Sequence, residues 1–153
     1  MRNMFVRCLA TLLFAFAWAG HAGAAGQTTP PEEFQRFAFT QPMLEKYMAA
    51  GQELKKLPKP KERKESKDDP SVDEIARELD TTPGVKPILA KYGFTSRNYA
   101  LATLAMFNAG FYLAMEPSMD KKGSKELFAS YPKELQANIE LLRKNPQFMK
   151  QER

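Results

Sequence analysis

Three side chains in the middle of the chain have the types and spacing of a small binding site. Asn108, Tyr112 and Met115 lie four and three residues apart, so they share one face of a helix. A cavity between helices with a few convergent polar groups is a common site for a small apolar ligand. Buried Asn and Tyr side chains also serve by hydrogen-bonding a neighbouring helix or a trapped water. The pattern leaves both interpretations open.

The methionines raise the separate question of copper, which accepts soft thioether ligands. Met106 and Met115 lie within an apolar stretch, and Pro117 separates them from Met119. No histidine lies near these methionines in the sequence. We therefore expect the methionines to pack in the core, where their flexible side chains fill irregular spaces, and we predict no metal site.

The first 25 residues have the pattern of a secretory signal peptide. Arg2 and Arg7 come before an apolar run over residues 8–19, and the small residues Ala-Gly-Ala end at Ala24. We predict cleavage after Ala24 or Ala25 and a periplasmic or secreted mature protein. Phe-Val-Arg precedes the single cysteine, so the sequence lacks the lipobox that directs lipid attachment.

Cleavage at that point removes the side chains on which much enzyme chemistry depends. Cys8, Trp18 and His21 are the only residues of their types, and all three lie in the predicted signal peptide. Zinc sites of Cys and His, Cys/His and Ser-His-Asp hydrolytic sites and histidine-containing di-iron sites are therefore excluded from the mature chain. We predict no catalytic residues and no cofactor, and hence a protein that is not an enzyme.

A central apolar helix over residues 97–116 must position the candidate site. Residues 99–115 carry no charge and are apolar on nearly every face, which is typical of a helix covered by neighbours on all sides. Phe107, Phe111 and Ala114 make a second apolar face beside that of the candidate site residues, so we expect two sets of neighbours. A membrane-spanning helix is the alternative, but a span needs about 20 apolar residues.

The remaining segments predict an all-α fold, a small bundle of about five or six helices. After the signal peptide, residues 26–39 form a polar lead and an apolar arm with Phe34, Phe37 and Phe39. A first bundle helix over residues 40–57 follows, with Thr40 as its N-cap. Residues 58–70 form a charged linker with three prolines. Residues 71–149 hold the rest of the bundle, and Ser71 with Glu74 makes a capping box at its start.

Three further local signals are predicted within residues 71–149. Thr95 or Ser96 is the expected N-cap of the central helix, and Ser124 is the expected cap of a short turn after it. The last helix is expected to bury a stripe of Leu135, Ile139 and Leu142.

Charge and composition limit the partners that the mature protein is expected to bind. Loss of Arg2 and Arg7 leaves 21 basic against 18 acidic side chains, a balance too even to predict nucleic-acid binding. The lysines of the linker at 58–70 and its Arg63 leave open a weak contact with an anionic envelope surface, beside the simpler interpretation of a solvated loop. The sequence predicts no oligomeric state.

Two motifs resemble a family of small exported helical bacterial proteins of unknown function. The run AKYGFTSRNY at residues 90–99 leads into the alanine-rich helix, and NIELLRKNP occupies residues 138–146. The resemblance covers residues 40–146 and implies an exported all-α protein, but it implies no activity. Asn98 stands where such sequences often have Glu.

Two functional hypotheses follow from these patterns. The first is a non-catalytic interaction or accessory protein of the bacterial envelope that binds another envelope protein. The alternative is a carrier that holds a small apolar ligand in the bundle, beside Asn108, Tyr112 and Met115. The first requires an exposed apolar patch, and the second requires an enclosed site.

Overall fold

The fold is all-α, as the sequence predicts. The computed structural model describes residues 32–58 and 71–150. The predicted signal peptide, the polar lead at residues 26–31 and nearly all of the linker lie outside these residues. Over these two ranges the chain forms no strand and seven α-helices, one or two more than expected. They are α1 (Gln41–Leu54), α2 (Val72–Thr81), α3 (Val85–Lys91), α4 (Ser96–Met115), α5 (Lys121–Ser130), α6 (Lys133–Lys144) and α7 (Pro146–Lys150).

Side-chain caps fix the starts of several helices. Thr40 accepts from the backbone N–H of Met43 at 3.3 Å, and Thr95 accepts from Asn98 at 3.1 Å. Ser71 and Glu74 form the predicted reciprocal capping box. Such caps satisfy N–H groups that have no partner within the helix. The three predicted caps are confirmed.

The start of α5 corrects a prediction, because Ser124 was expected to be its cap. Asp120 is the N-cap, and its carboxylate accepts from the backbone N–H groups of Lys122 and Gly123, both at 2.9 Å. Ser124 lies inside the helix and is buried. A carboxylate at an N-cap offers a charged acceptor to these N–H groups and interacts favourably with the helix dipole, so the helix begins one turn earlier than predicted.

The core lies where α4 packs against α6. Three alanines of α4, Ala102, Ala105 and Ala109, are fully buried, and their small side chains allow close approach of a neighbouring helix. Leu135, Ile139 and Leu142 of α6 are buried in the same cluster. Burial of an aliphatic side chain of this size stabilises the fold by about 1.5–3 kcal/mol. The predicted apolar stripe of α6 is confirmed.

An extended segment between Arg36 and α1 carries aromatic rings into the bundle. The rings of Phe37 and Phe39 meet edge to face at 5.2 Å, and Phe39 meets Tyr47 of α1 at 5.7 Å. Tyr47 stacks on Tyr99 of α4 at 4.9 Å, and Phe94 meets Tyr99 at 5.6 Å. Five rings therefore join the arm, α1 and the start of α4 in one cluster.

Asn138 of α6 holds the backbone of this arm. Its Oδ1 accepts from the N–H of Phe39 at 2.8 Å, and its Nδ2 donates to the carbonyl of Phe37 at 2.6 Å. Only 2% of Asn138 is exposed. The side-chain amide thus pairs with two backbone groups of the extended segment in the way that a neighbouring strand would.

The expectation that α4 is covered on all sides is wrong. Phe111 and Met115 are 47% and 45% exposed, and Ala114 is exposed as well. The short helix α2 lies at the N-terminal half of α4, where Asp80 accepts from Ser96 at 2.6 Å and Asp73 pairs with Arg97 at 3.4 Å. Ten residues make about 15 Å of helix, against about 30 Å for the 20 residues of α4. At about half the length of α4, α2 cannot cover both ends of that helix.

Membrane crossing was the alternative for this stretch. Among the helices of the described residues, none combines the length and the hydropathy that a membrane span requires.

Candidate functional site

Tyr112, the most buried of the predicted site residues, faces α5. It is 2% exposed, and its hydroxyl lies 3.1 Å from both the carbonyl oxygen and Oγ of Ser124. Glu116 Oε1 is 3.3 Å from the same hydroxyl, and the ring packs against Phe128 at 5.8 Å. These contacts satisfy the hydroxyl within the protein, so the tyrosine fastens α5 to α4.

Asn108 and Met115 lie on the same side of α4 but do not converge with Tyr112 on a shared point. Asn108 is half-buried, and its Nδ2 lies 3.5 Å from the carbonyl of Leu104 in the preceding turn. Met115 is exposed. Of the three, only Tyr112 therefore has its polar group enclosed by the protein. The ligand pocket stays a prediction.

The other methionines singled out by the sequence lie against the core. Met106 and Met119 are partly buried and pack on the hydrophobic cluster, whereas Met115 is on the surface. Within residues 32–58 and 71–150 no group of three or more His, Cys, Asp or Glu side chains is placed to hold a metal ion. Two of these methionines thus pack against the core, and one lies at the surface.

The most unusual surface feature is an apolar face on the C-terminal half of α4. We define this α4 face as Phe107, Phe111, Ala114 and Met115 together with Met149 of α7. The rings of Phe107 and Phe111 stack at 6.2 Å. Met149 is 37% exposed and lies against Gly110, where an added Cβ would be 3.6 Å from its Cε. Five neighbouring apolar residues at the surface, two of them aromatic, form a patch rather than isolated exposed side chains.

Two helices border this α4 face. Successive residues of a helix are about 100° apart, so Phe111 projects between Gly110 on one side and Tyr112 on the other. Gly110 is contacted by α7 through Met149, and Tyr112 is held by α5 through Ser124. Phe111 therefore stands at the centre of a shallow surface bounded by α5 and α7.

Charged groups surround the C-terminal end of α4. Arg143 of α6 pairs with both carboxylate oxygens of Glu116, at 2.8 and 2.9 Å, and also bonds to Glu140. The bond to Glu116 and the charges of both acids raise the pKa of Arg143. Hydrogen bonds from Gly123 and Lys122 lower the pKa of the Asp120 carboxyl. The acids at this end are thus engaged in contacts within the protein, and the Arg143–Glu116 pair joins the C-terminal end of α6 to the end of α4.

Sequence reasoning grouped Phe107, Phe111 and Ala114 correctly but expected a helix to cover them. The length of the helix that follows Ser71 indicates that these residues are not covered. The capping box at Ser71 and the end of the pattern by Thr81 already predict a helix too short to cover a central helix twice as long.

Comparisons with known proteins found no match to this chain, either among protein-family models, among curated proteins or among solved structures. The resemblance to an exported bacterial family therefore stays a prediction.

Proposed function

We propose that the mature protein is a non-catalytic interaction or accessory protein of the bacterial envelope, and that it docks through the α4 face. The observation that supports this most strongly is the exposure of Phe111 and Met115, which are 47% and 45% accessible on one helix. Contiguous apolar patches on soluble domains commonly mark a surface that binds something else.

The composition of the rest of the mature chain supports an external occupant. Outside the described residues, the segments at 26–31, 59–70 and 151–153 contain no aromatic residue and no aliphatic residue larger than proline. Apart from four prolines and the stems of lysine and arginine, they offer little apolar surface with which to bury Phe111. Covering such a face by charged or polar segments would remove water from their polar groups without a compensating apolar contact.

The predicted loss of Cys8 and His21 with the signal peptide supports a non-catalytic role, because the commonest nucleophile and base pairs need one or both of them. The carrier hypothesis is the alternative. Native mass spectrometry of the mature protein, purified from the envelope without detergent, separates the two. A carrier is expected to retain a small molecule that denaturation releases, whereas a docking protein is not.

Photo-cross-linking in a bacterial host tests the docking surface directly. A photo-reactive amino acid replaces Phe111 in one variant and Lys46 in another, since Lys46 is exposed on a different helix, α1. We expect position 111 to cross-link to an envelope component, lipid or protein, and position 46 to give only background. Equal yields at the two positions, or none at position 111, would contradict the proposal.

A further inference from the structure

Building on the proposed docking role, we infer that the occupant of the α4 face is an anionic lipid surface of the envelope. The juxtaposition that points to it is a shallow apolar face bordered by exposed lysines of α5. Phe111, Met115 and Met149 would enter the boundary between head groups and acyl chains while these lysines meet the lipid phosphates. A protein of this kind lies on the membrane rather than crossing it.

The apolar part of the surface presents large exposed side chains on a helix stretch without charge. Phe111, Met115 and Met149 expose between 37% and 47% of their surfaces, and no charged residue interrupts α4 from Asn98 to Met115. Interfacial protein segments bury their apolar face about 5–10 Å below the head groups. The exposed side chains of Phe111, Met115 and Met149 are the groups that would enter this layer.

The basic part of the surface is on α5, the helix that packs against the C-terminal half of α4. Lys121, Lys122 and Lys125, which we call the α5 lysines, are all exposed on the first two turns of α5. These turns are the ones fastened to α4 by the contact between Ser124 and Tyr112. The attraction of basic side chains to an anionic membrane adds to the binding energy of apolar insertion. Each contribution is weak alone, and the two together give stable attachment.

The acids at this end of the bundle are occupied within the protein. Glu116 and Glu140 bond to Arg143, and Asp120 caps α5. Glu126 lies 3.8 Å from Lys122, with both side chains exposed. Lys144 adds an exposed cation at the end of α6, next to Arg143. Glu116 thus bonds to a neighbouring helix, Glu140 and Asp120 bond within their own helices, and Lys121, Lys125 and Lys144 remain exposed.

A second copy of the chain is a poorer occupant on two physical grounds. Stable interfaces bury about 800 Å² on each partner and involve about 20–30 residues a side, whereas the α4 face has five. An isologous dimer would also bring the α5 lysines of both copies toward one interface, and like charges oppose each other there. A flat anionic surface needs no matching contour and attracts the same lysines.

The test measures co-sedimentation of the mature protein with vesicles that contain phosphatidylglycerol and phosphatidylcholine in equal parts, and with vesicles of phosphatidylcholine alone. We expect binding to the anionic vesicles, weakening as salt rises through about 0.15 M because screening then acts within about 8 Å. Phe111→Ser is expected to weaken binding. Circular dichroism and the thermal midpoint of unfolding test whether this exposed substitution leaves the fold intact. Met115→Ser provides a second variant of the same face.

The matched control separates a specific surface from general attraction of a basic protein. Substituting the three α5 lysines with Gln is expected to weaken binding at least tenfold, since each lysine near an anionic surface contributes about fivefold. Lys46, Lys55 and Lys56 are exposed on and just after α1, and the same triple change there is expected to alter binding less than the α5 substitutions.

Three results would each overturn the lipid assignment. They are equal losses of binding from the two triple-lysine variants, no loss from Phe111→Ser, and no preference for vesicles with phosphatidylglycerol. Cross-linking of position 111 to a protein, with no vesicle binding, would also overturn it but leave the docking role in place. If position 111 gave no cross-link and the protein did not bind vesicles, the docking role and the lipid assignment would both be overturned.

Discussion

Substitution of Asn138 by Ala tests how the apolar arm is fixed to the bundle. The change removes both side-chain partners of the arm, the acceptor for Phe39 N–H at 2.8 Å and the donor to the Phe37 carbonyl at 2.6 Å. A buried backbone group left without a partner costs about 1–3 kcal/mol. Phe39 is 9% exposed, so water cannot readily replace the lost partner of its N–H. Phe37 is half-buried, and its carbonyl can reach water more easily. We expect a loss of about 3 kcal/mol in the free energy of unfolding.

Urea unfolding followed by circular dichroism measures this loss. A shift of the midpoint at an unchanged slope would show that stability alone has changed. Asn108→Ala is the matched control, because the Asn108 amide makes one contact at 3.5 Å within its own helix. Alanine is also the better helix former by a few tenths of a kcal/mol. The control is therefore expected to keep or slightly raise the stability.

Amide exchange adds a local measurement at the same site. In the Asn138→Ala protein the N–H of Phe39 is expected to exchange much faster, while amides in the middle of α4 change only by the global loss. A free energy of unfolding within about 1 kcal/mol of the parent value would contradict this account, because an ordinary surface change has an effect of that size. Unchanged protection of the Phe39 N–H would contradict it as well.

Three further changes have directions that follow from the structure. Ile139→Ala, at a fully buried site, is expected to lower the free energy of unfolding by about 2–5 kcal/mol in urea titration. Tyr112→Phe is expected to cost about 1–2 kcal/mol in the same assay, because Ser124 loses its buried partner. The hydrogen bond from Ser96 and then that from Lys86 lower the pKa of Asp80. Its contribution to stability is complete above the ordinary pKa of 3.8 and disappears as the pH falls through the lower folded-state pKa, so Asp80→Asn is expected to flatten the acid side of the stability profile.

Local signals in the sequence predict much of the fold. The caps at Thr40, Ser71 and Thr95 require only a suitable side chain three residues before a backbone N–H, which is a contact between near neighbours. The apolar stripe of α6, with Leu135, Ile139 and Leu142, is read from spacing alone and is buried as expected.

Contacts between distant parts of the chain were not predictable in this way. Asn138 was not singled out, although it is the buried amide that joins residues about a hundred positions apart. Asn108 was predicted to be a site residue instead, because it is an amide within an otherwise apolar helix. Which amide is buried depends on which helices pack together, and periodicity within one helix does not specify that.

The exposed α4 face shows the same limit at a larger scale. The sequence shows that Phe107 and Phe111 are apolar but does not show whether another helix is long enough and well placed to cover them. The length of α2 was the available clue. The predicted signal peptide and the linker lie outside the described residues, so the expected cleavage and export stay predictions.

A fluorescent probe at the centre of the α4 face measures docking most directly. The chain's single cysteine, Cys8, lies in the predicted signal peptide, so Phe111→Cys gives the mature protein one thiol for an environment-sensitive dye. Lys46→Cys provides a labelled control on the exposed side of α1. On addition of isolated bacterial envelope we predict a blue shift and stronger emission for the dye at position 111, because the face becomes buried, and no such change at position 46. An unchanged spectrum at position 111, or the same change at both positions, would contradict the proposal that this protein acts by docking through α4.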